Sequence, residues 1–126
     1  MSDTEVDKTT QGDLASAPVV EKYMVVAGFV NETLKEVIDA CVPGKSIFDI
    51  CAMSDKLLDE KIAKVYNKPK TDKGVAFPCC LSVNEVCGHY SPMDEKDSQI
   101  LKDGDLVKID LGGHIDGTNN FKHCFN

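Results

Sequence analysis

Two side chains in the second half of the chain have the chemistry of a metal-centred site. His89 lies in VNEVCGHYSP (83–92), and Asp110 lies in GDLVKIDLGGHIDG (104–117). The residue pattern around each predicts a β-strand. A carboxylate on a mainly apolar strand is unusual, because a buried charge must be paired or bound to metal. Two plainer interpretations stay open: a hydrogen-bonded structural histidine, and a solvated sheet face on which Asp110 pairs with Lys108 or a loop.

The cysteines offer a second possible metal site. The candidate ligands are Cys79, Cys80, Cys87, His89, His123 and Cys124. A structural zinc site usually has paired C-x₂₋₄-C or H-x₃₋₅-H spacing, and neither is present. Adjacent cysteines on a strand point to opposite faces, so Cys79 and Cys80 cannot easily chelate one ion. The sequence therefore favours reduced thiols that pack as small apolar residues, and it predicts no cofactor.

Composition limits the partners of the chain. The 126 residues suggest one domain, the formal net charge is −7, and all 14 basic residues are lysines. Arginine is the usual side chain for bidentate phosphate and guanine contacts, so an acidic chain without arginine is expected to bind RNA weakly by itself. No stretch approaches the ~18 apolar residues that span a bilayer, which predicts no membrane partner. The polar, acidic N-terminus has no apolar leader segment and favours a cytosolic or nuclear protein.

Apolar spacing predicts two helices. Residues 1–17 are charged and small, and are predicted to form a disordered tail before a single domain at 18–126. Helices are predicted at about 19–41 and 46–66, with Ser46 as N-cap of the second helix. The predicted apolar face of the first helix comprises Val20, Tyr23, Met24, Ala27, Val30, Leu34, Val37, Ile38 and Cys41.

The pattern changes to that of strands after Gly74. Strands are predicted at 79–91 and 105–125, with a hairpin turn at the DG of 116–117. Two helices followed by antiparallel strands indicate an α+β fold. The lysine-rich segment between helix and strand is most simply a solvated loop. The alternative is a partner-binding patch of Lys64, Lys68, Lys70 and Lys73.

Two long elements carry a family resemblance. GVAFPCCLSVNEVCGHYSP, followed by LKDGDLVKIDLGGHIDG, resembles the first half of the methionine aminopeptidase type II family. The similarity runs from about residue 14 to residue 117. It is greatest to the non-catalytic, proliferation-associated (growth-factor-receptor-binding) branch. The resemblance implies a pita-bread fold, in which two related α+β halves form a curved antiparallel sheet around a central cleft.

Active members of this family hold two divalent metals in the cleft. The resemblance places the first metal-binding aspartate at Asp110 and a substrate-contacting histidine at His89. The second aspartate is expected eleven residues beyond Asp110, at Phe121, or at Asn120 if one residue is deleted, and neither is a carboxylate. The remaining ligands, a histidine and two glutamates, belong to the later half of the family fold. His89 and Asp110 are therefore interpreted as relict positions of a pseudoenzyme without a bound metal.

The expected function is that of an adaptor. The resemblance implies a non-catalytic protein of growth regulation, transcriptional co-regulation and ribosome or RNA-particle association, located in the cytoplasm and the nucleus or nucleolus. Its expected partners are growth-signalling or ribosome-associated proteins. The alternatives are a fragment of an active dinuclear-metal methionine aminopeptidase, or a truncated product without stable function. The segment TNNFKHCFN (118–126) has weak strand propensity, and the resemblance fades there.

Overall fold

The computed structural model describes residues 16–68 and 71–116, and the backbone of 118–125. The elements are helices α1 (Ala17–Ala40) and α2 (Ile47–Ala63), and strands β1 (Lys73–Val83), β2 (Val107–Ile115) and β3 (Thr118–Phe125). The strands form one antiparallel sheet in the order β1-β2-β3. The predicted α+β class is confirmed. Most of the predicted disordered tail, residues 1–15, lies outside the described residues.

Helix α1 begins with a proline in its first turn, as the sequence predicts. The predicted apolar face is wrong in its N-terminal part, because Val20 and Met24 are 40% and 70% exposed. The fully buried stripe is instead Val26, Val30, Thr33 and Val37. Apolar residues surround the first half of this helix, so several faces have helical spacing, and packing against the sheet selects one.

The start of α2 is capped from a distant loop. Ser46 occupies the N-cap position, but its hydroxyl makes no capping bond. Ser98 Oγ instead accepts the backbone N–H of Phe48 at 2.8 Å and lies 3.0 Å from Ser46 Oγ. The Ile47 N–H also donates to the carbonyl of Gln99, at 3.0 Å. Two of the free amides at this helix end are thereby satisfied by the loop before β2.

The end of α2 is held by the first residue of β1. Lys73 Nζ donates to the carbonyls of Ala63 and Val65 and to Asn67 Oδ1. A cation near the last carbonyls of a helix also interacts favourably with the helix dipole. The helix stops at Ala63 rather than at the predicted residue 66.

Strand β1 begins and ends earlier than predicted. It covers 73–83 instead of 79–91, and its register with β2 shifts between Val75 and Phe77 and again between Phe77 and Cys80. Each shift adds a residue to β1, as in a β-bulge, and interrupts the two-residue alternation. Pro78, which has no N–H, lies in the second irregularity on an edge strand, where proline is tolerated.

The predicted second strand is a hairpin of β2 and β3. Its turn contains Asp116, whose φ of 50° is typical of a tight hairpin turn, as predicted for the DG pair. Val107, Ile109 and Leu111 are buried, and the residues between them are partly exposed. These side chains form one core with residues of both helices, so α1 and α2 cover a single face of the sheet.

One glycine sets the distance between helices and sheet. A Cβ at Gly113 would lie 2.9 Å from Ile62 Cδ1 and 3.1 Å from Val26 Cγ2. Both helices therefore approach β2 more closely than a side chain at this position allows. Within the described residues, no helix is both long and apolar enough to cross a membrane.

Candidate functional site

A cleft of about 400 Å³ lies beside β1 and β2 and contains both residues singled out in the sequence. Its lining residues are Phe77, Pro78, Cys80, His89, Ser91 and Asp110. The structure thus brings His89 and Asp110 into one concavity, although 21 positions separate them in the chain. Their shared location agrees with the family resemblance and positions an imidazole and a carboxylate to contact the same ligand.

Asp110 reaches the cleft through the alternation of β2. It lies between the buried residues Ile109 and Leu111, opposite Cys80 of β1. Successive side chains on a strand point to opposite faces, so the apolar neighbours enter the core and Asp110 turns away from it. Lys108 Nζ, one partner considered from the sequence, donates to the carbonyl of Asn84 at 2.7 Å.

His89 is not on a strand, which corrects the sequence prediction. It lies in the loop after β1 with a φ of 62°. The chain returns to β1 at the next residue: the Leu81 N–H donates to the Tyr90 carbonyl at 2.9 Å, and the Tyr90 N–H donates to Ser82 Oγ at 3.2 Å. Histidine is one of the residues enriched in this left-handed region, and such conformations are frequent at functional sites.

The adjacent thiols of β1 lie in different environments. A hydrogen bond to the Cys51 thiol, together with burial, raises the pKa of Cys79 far above its ordinary value. Burial raises the pKa of Cys80, and the neighbouring Cys79 and Asp110 act in the same direction. Both thiols therefore stay protonated at neutral pH and are poor nucleophiles, since the thiolate is the reactive form.

The donors of the cleft do not fit the two-metal centre of active family members. Asp110 is the only carboxylate in its described lining, beside one imidazole and one thiol. Two divalent cations that activate a bridging water require several hard oxygen ligands. Within residues 16–68 and 71–116, no three His, Cys, Asp or Glu side chains are grouped so that they could hold a metal ion.

The hairpin register locates the position of the expected second aspartate. Phe121 pairs with Gly112, and Asn120 pairs with Gly113. Gly112 is two residues from Asp110 on β2 and so lies on the same face of the sheet, whereas Gly113 faces the helices. Both candidate positions for the second aspartate thus lie on β3, the strand paired with the one that carries Asp110.

The structure describes three of the four lysines in the predicted partner-binding patch. Lys73 is bonded to the end of α2, and Lys70 lies outside the described residues. Lys64 and Lys68 are exposed. This leaves two described lysines of the four available for a partner.

Sequence reasoning missed two structural contributors, Asp55 beside β1 and Ser98 at the start of α2. Asp55, on α2, accepts the backbone N–H of Cys79 through Oδ1 at 2.9 Å. Asp55 lies four residues after Cys51, so both are on one face of α2. This spacing is the only sequence signal for the contact between Asp55 and Cys79. Ser98 was assigned to a loop without a role, since a cap supplied from fifty residues away leaves no local pattern.

Two helices covering one face of an antiparallel sheet, with a cleft beside its first two strands, define one half of a pita-bread fold. The chain belongs to metallopeptidase family M24, whose model matches residues 21–120. Within this family it is similar to the proliferation-associated branch, as predicted from the sequence.

Named relatives support this placement. The chain is 46% identical over 118 residues to ERBB-3 binding protein 1 of Arabidopsis thaliana, covering 92% of this chain and 30% of the relative. It is 44% identical over 106 residues to proliferation-associated protein A of Dictyostelium discoideum, covering 83% and 27%. A methionine aminopeptidase of Thermococcus kodakarensis is 37% identical over 95 residues, with 75% and 28% covered. The chain therefore spans about a third of the length of these relatives.

The fold also matches a solved structure. A thermophilic Arx1 superposes with a TM-score of 0.76 and 36% sequence identity. The match covers 87% of this chain and 30% of that one. The described fold is thus similar to one portion of that solved structure.

Proposed function

We propose that this chain is part of a non-catalytic, aminopeptidase-like adaptor that uses the M24 cleft to bind proteins. One feature of the sequence carries the proposal: neither Phe121 nor Asn120, the two candidates for the second metal-binding aspartate of an active member, is a carboxylate. Asp110 alone does not supply the negative charge and the ligand number that a pair of divalent ions requires.

The remaining lining is suited to binding. Phe77, Pro78 and Cys80 supply apolar surface, and His89 and Asp110 are polar groups that can orient a ligand. Mostly apolar concavities with a few convergent polar groups are the usual form of binding sites. One relative carries the name of an ERBB-3 binding protein, which supports a protein partner. The proposed setting is growth regulation, with transcriptional and ribosome-associated roles in the cytoplasm and nucleus.

The test measures hydrolysis and metal content of the purified 126-residue chain. We expect no turnover of a Met-Ala-Ser peptide with added Co²⁺ or Mn²⁺, and no stoichiometric Co²⁺, Mn²⁺ or Zn²⁺ bound through Asp110. Asp110→Asn should match the unmodified chain in both assays. Turnover, or stoichiometric metal, that disappears in Asp110→Asn would instead establish the enzyme alternative.

RNA binding by this chain is proposed to be weak. Affinity for a phosphate backbone rises with the number of cationic contacts, and here 14 lysines are dispersed among 21 acidic residues. We expect a dissociation constant at about the 10⁻⁴ M end of the non-specific range at physiological salt. Filter binding with ribosomal RNA at two salt concentrations measures it. Submicromolar affinity that falls when Lys64, Lys68 and Lys70 are replaced by alanine would contradict this proposal.

A further inference from the structure

A second concavity of about 340 Å³ lies on the far side of Pro78, between α2 and the loop after β1. We call it the Asp55 pocket, after the carboxylate among its lining residues, which include Phe48, Cys51, Ala52, Asp55, Pro78 and Met93. It adjoins the cleft, because Pro78 and Ser91 line both. It contains neither His89 nor Asp110, so it is a separate place for a ligand.

The carboxylate of Asp55 is held in position. Its Oδ1 accepts the Cys79 N–H at 2.9 Å, which ties it to β1. Among the described residues it forms no ion pair, and Oδ2 accepts no hydrogen bond. No lysine is among the described residues that line the pocket. A positioned carboxylate beside apolar surface, without a cation of its own chain, is complementary to a cationic group on a ligand.

The walls around this carboxylate are apolar and accessible. Met93 is 96% exposed, Pro78 is exposed, and the Phe48 ring is partly buried. Methionine is flexible and polarizable, so it adapts to different apolar ligands. A ligand that fits both features has an apolar body next to a positive charge. The net charge of −7 also favours the approach of a basic partner.

We propose that the Asp55 pocket binds a basic–apolar segment of a protein partner, with a lysine or arginine of that segment paired to Asp55 and an adjacent apolar side chain against Phe48 and Met93. This deepens the proposed adaptor function and rests on it. The chemistry required of the partner is a cationic side chain flanked by aliphatic residues.

The test titrates two blocked peptides into the isotope-labelled full chain. The probe is acetyl-Leu-Lys-Leu-amide, and its matched control carries acetyl-lysine, which keeps the length and removes the charge. NMR signals of the Cys79 amide and the Met93 methyl group report on the pocket. We expect saturable shifts of both with the lysine peptide, and roughly tenfold or more weaker binding of the control.

Variants localise the effect. Asp55→Asn keeps an oxygen that can accept the Cys79 N–H, and it should lose binding by roughly tenfold or more. Ala52→Trp fills the pocket and should block the probe. Glu60→Gln removes an exposed carboxylate from the same helix and should change nothing.

Three outcomes would contradict the proposal that the Asp55 pocket binds a basic–apolar segment. They are equal affinity for both peptides, unchanged affinity in Asp55→Asn, and no saturable shift at Cys79 or Met93. Shifts confined to His89 and Asp110 would place peptide binding in the cleft instead, so they would leave the adaptor function standing while removing the Asp55 pocket. Metal-dependent cleavage of the Met-Ala-Ser peptide would remove the adaptor function itself.

Discussion

Asp55 Oδ1 and the backbone N–H of Cys79 are 2.9 Å apart, and this hydrogen bond joins helix α2 to strand β1. Burial raises the pKa of the Asp55 carboxyl above its ordinary value of 3.8, and the bond from Cys79 partly opposes the rise. The pKa values of the neighbouring Cys79 and Cys80 thiols are raised, so these groups remain protonated in acid. The contact therefore links the stability of the fold to pH through one carboxyl group.

The first prediction concerns the direction in which the Asp55 carboxyl makes stability depend on pH. A raised pKa in the folded state gives stability that is fully present below the unfolded pKa and is lost as pH rises through the folded pKa. Asp55→Asn keeps the acceptor for Cys79 and cannot ionise. We expect the variant to gain stability relative to the unmodified chain as pH rises from about 4 to 7. Urea unfolding across this range measures the difference, and a pH-independent difference would contradict the assignment.

The second prediction is that the Asp105 carboxyl makes stability depend on pH in the opposite direction. Hydrogen bonds from Asn84 Nδ2 and the Lys102 N–H lower the pKa of its carboxyl. A lowered pKa gives stability that is present above the unfolded pKa and is lost as pH falls through the folded pKa. Asp105→Asn is therefore expected to be less stable than the unmodified chain at pH 7, with a gap that narrows in acid. The same urea titrations measure it, and a gap that widens in acid would refute the prediction.

The distant cap of α2 gives a third prediction. Ser98→Ala removes the oxygen that accepts the Phe48 N–H, and loss of a helix cap costs about 1 kcal/mol of unfolding free energy. Ser46→Ala should cost less, although it stands at the N-cap position, because its hydroxyl makes no capping bond. Urea denaturation ranks the two variants, and hydrogen exchange at the Phe48 amide should accelerate in Ser98→Ala alone. The reverse ranking would show that the cap is local.

Replacing two glycines by alanine should change the stability of the fold in opposite directions. Gly113→Ala introduces a Cβ against the buried residues Ile62 and Val26, and overpacking of this kind costs about 1–3 kcal/mol. Gly28→Ala, in α1, meets no atom within 4 Å and removes a poor helix former, so it should stabilise by up to about 1 kcal/mol. Thermal melting of both variants tests the pair. A neutral Gly113→Ala would mean that the helices can shift away from β2.

The sequence predicts best where one face of a strand is buried and local rules apply. Ile109 and Leu111 alternate with Asp110 because the described helices cover one face of β2. The orientation of this strand could therefore be predicted from the sequence. The limits of β1 could not be predicted, because two register shifts and Pro78 interrupt the alternation of side chains that would mark the strand.

Other features depend on contacts that no local pattern reports. Met24 has the spacing of a core residue, yet it is exposed, since helix spacing fits several faces when apolar residues lie on all sides. The pairing of Asp55 with Cys79 and of Ser98 with Phe48 joins residues 24 and 50 positions apart. The meeting of His89 and Asp110 was anticipated only through the family resemblance, which carries tertiary information that spacing lacks.

The cap of α2 also has a consequence for the order in which a nascent chain can complete its fold. Synthesis proceeds from the N-terminus, so the whole of α2 is made before Ser98 is added. Until then the Phe48 amide has only water as its partner, and the first turn of the helix can fray. Arrival of the loop at 98–101 then pairs its backbone with residues 44–47 and closes the helix start. During synthesis, the start of α2 is therefore completed only after the later loop at 98–101 has been made.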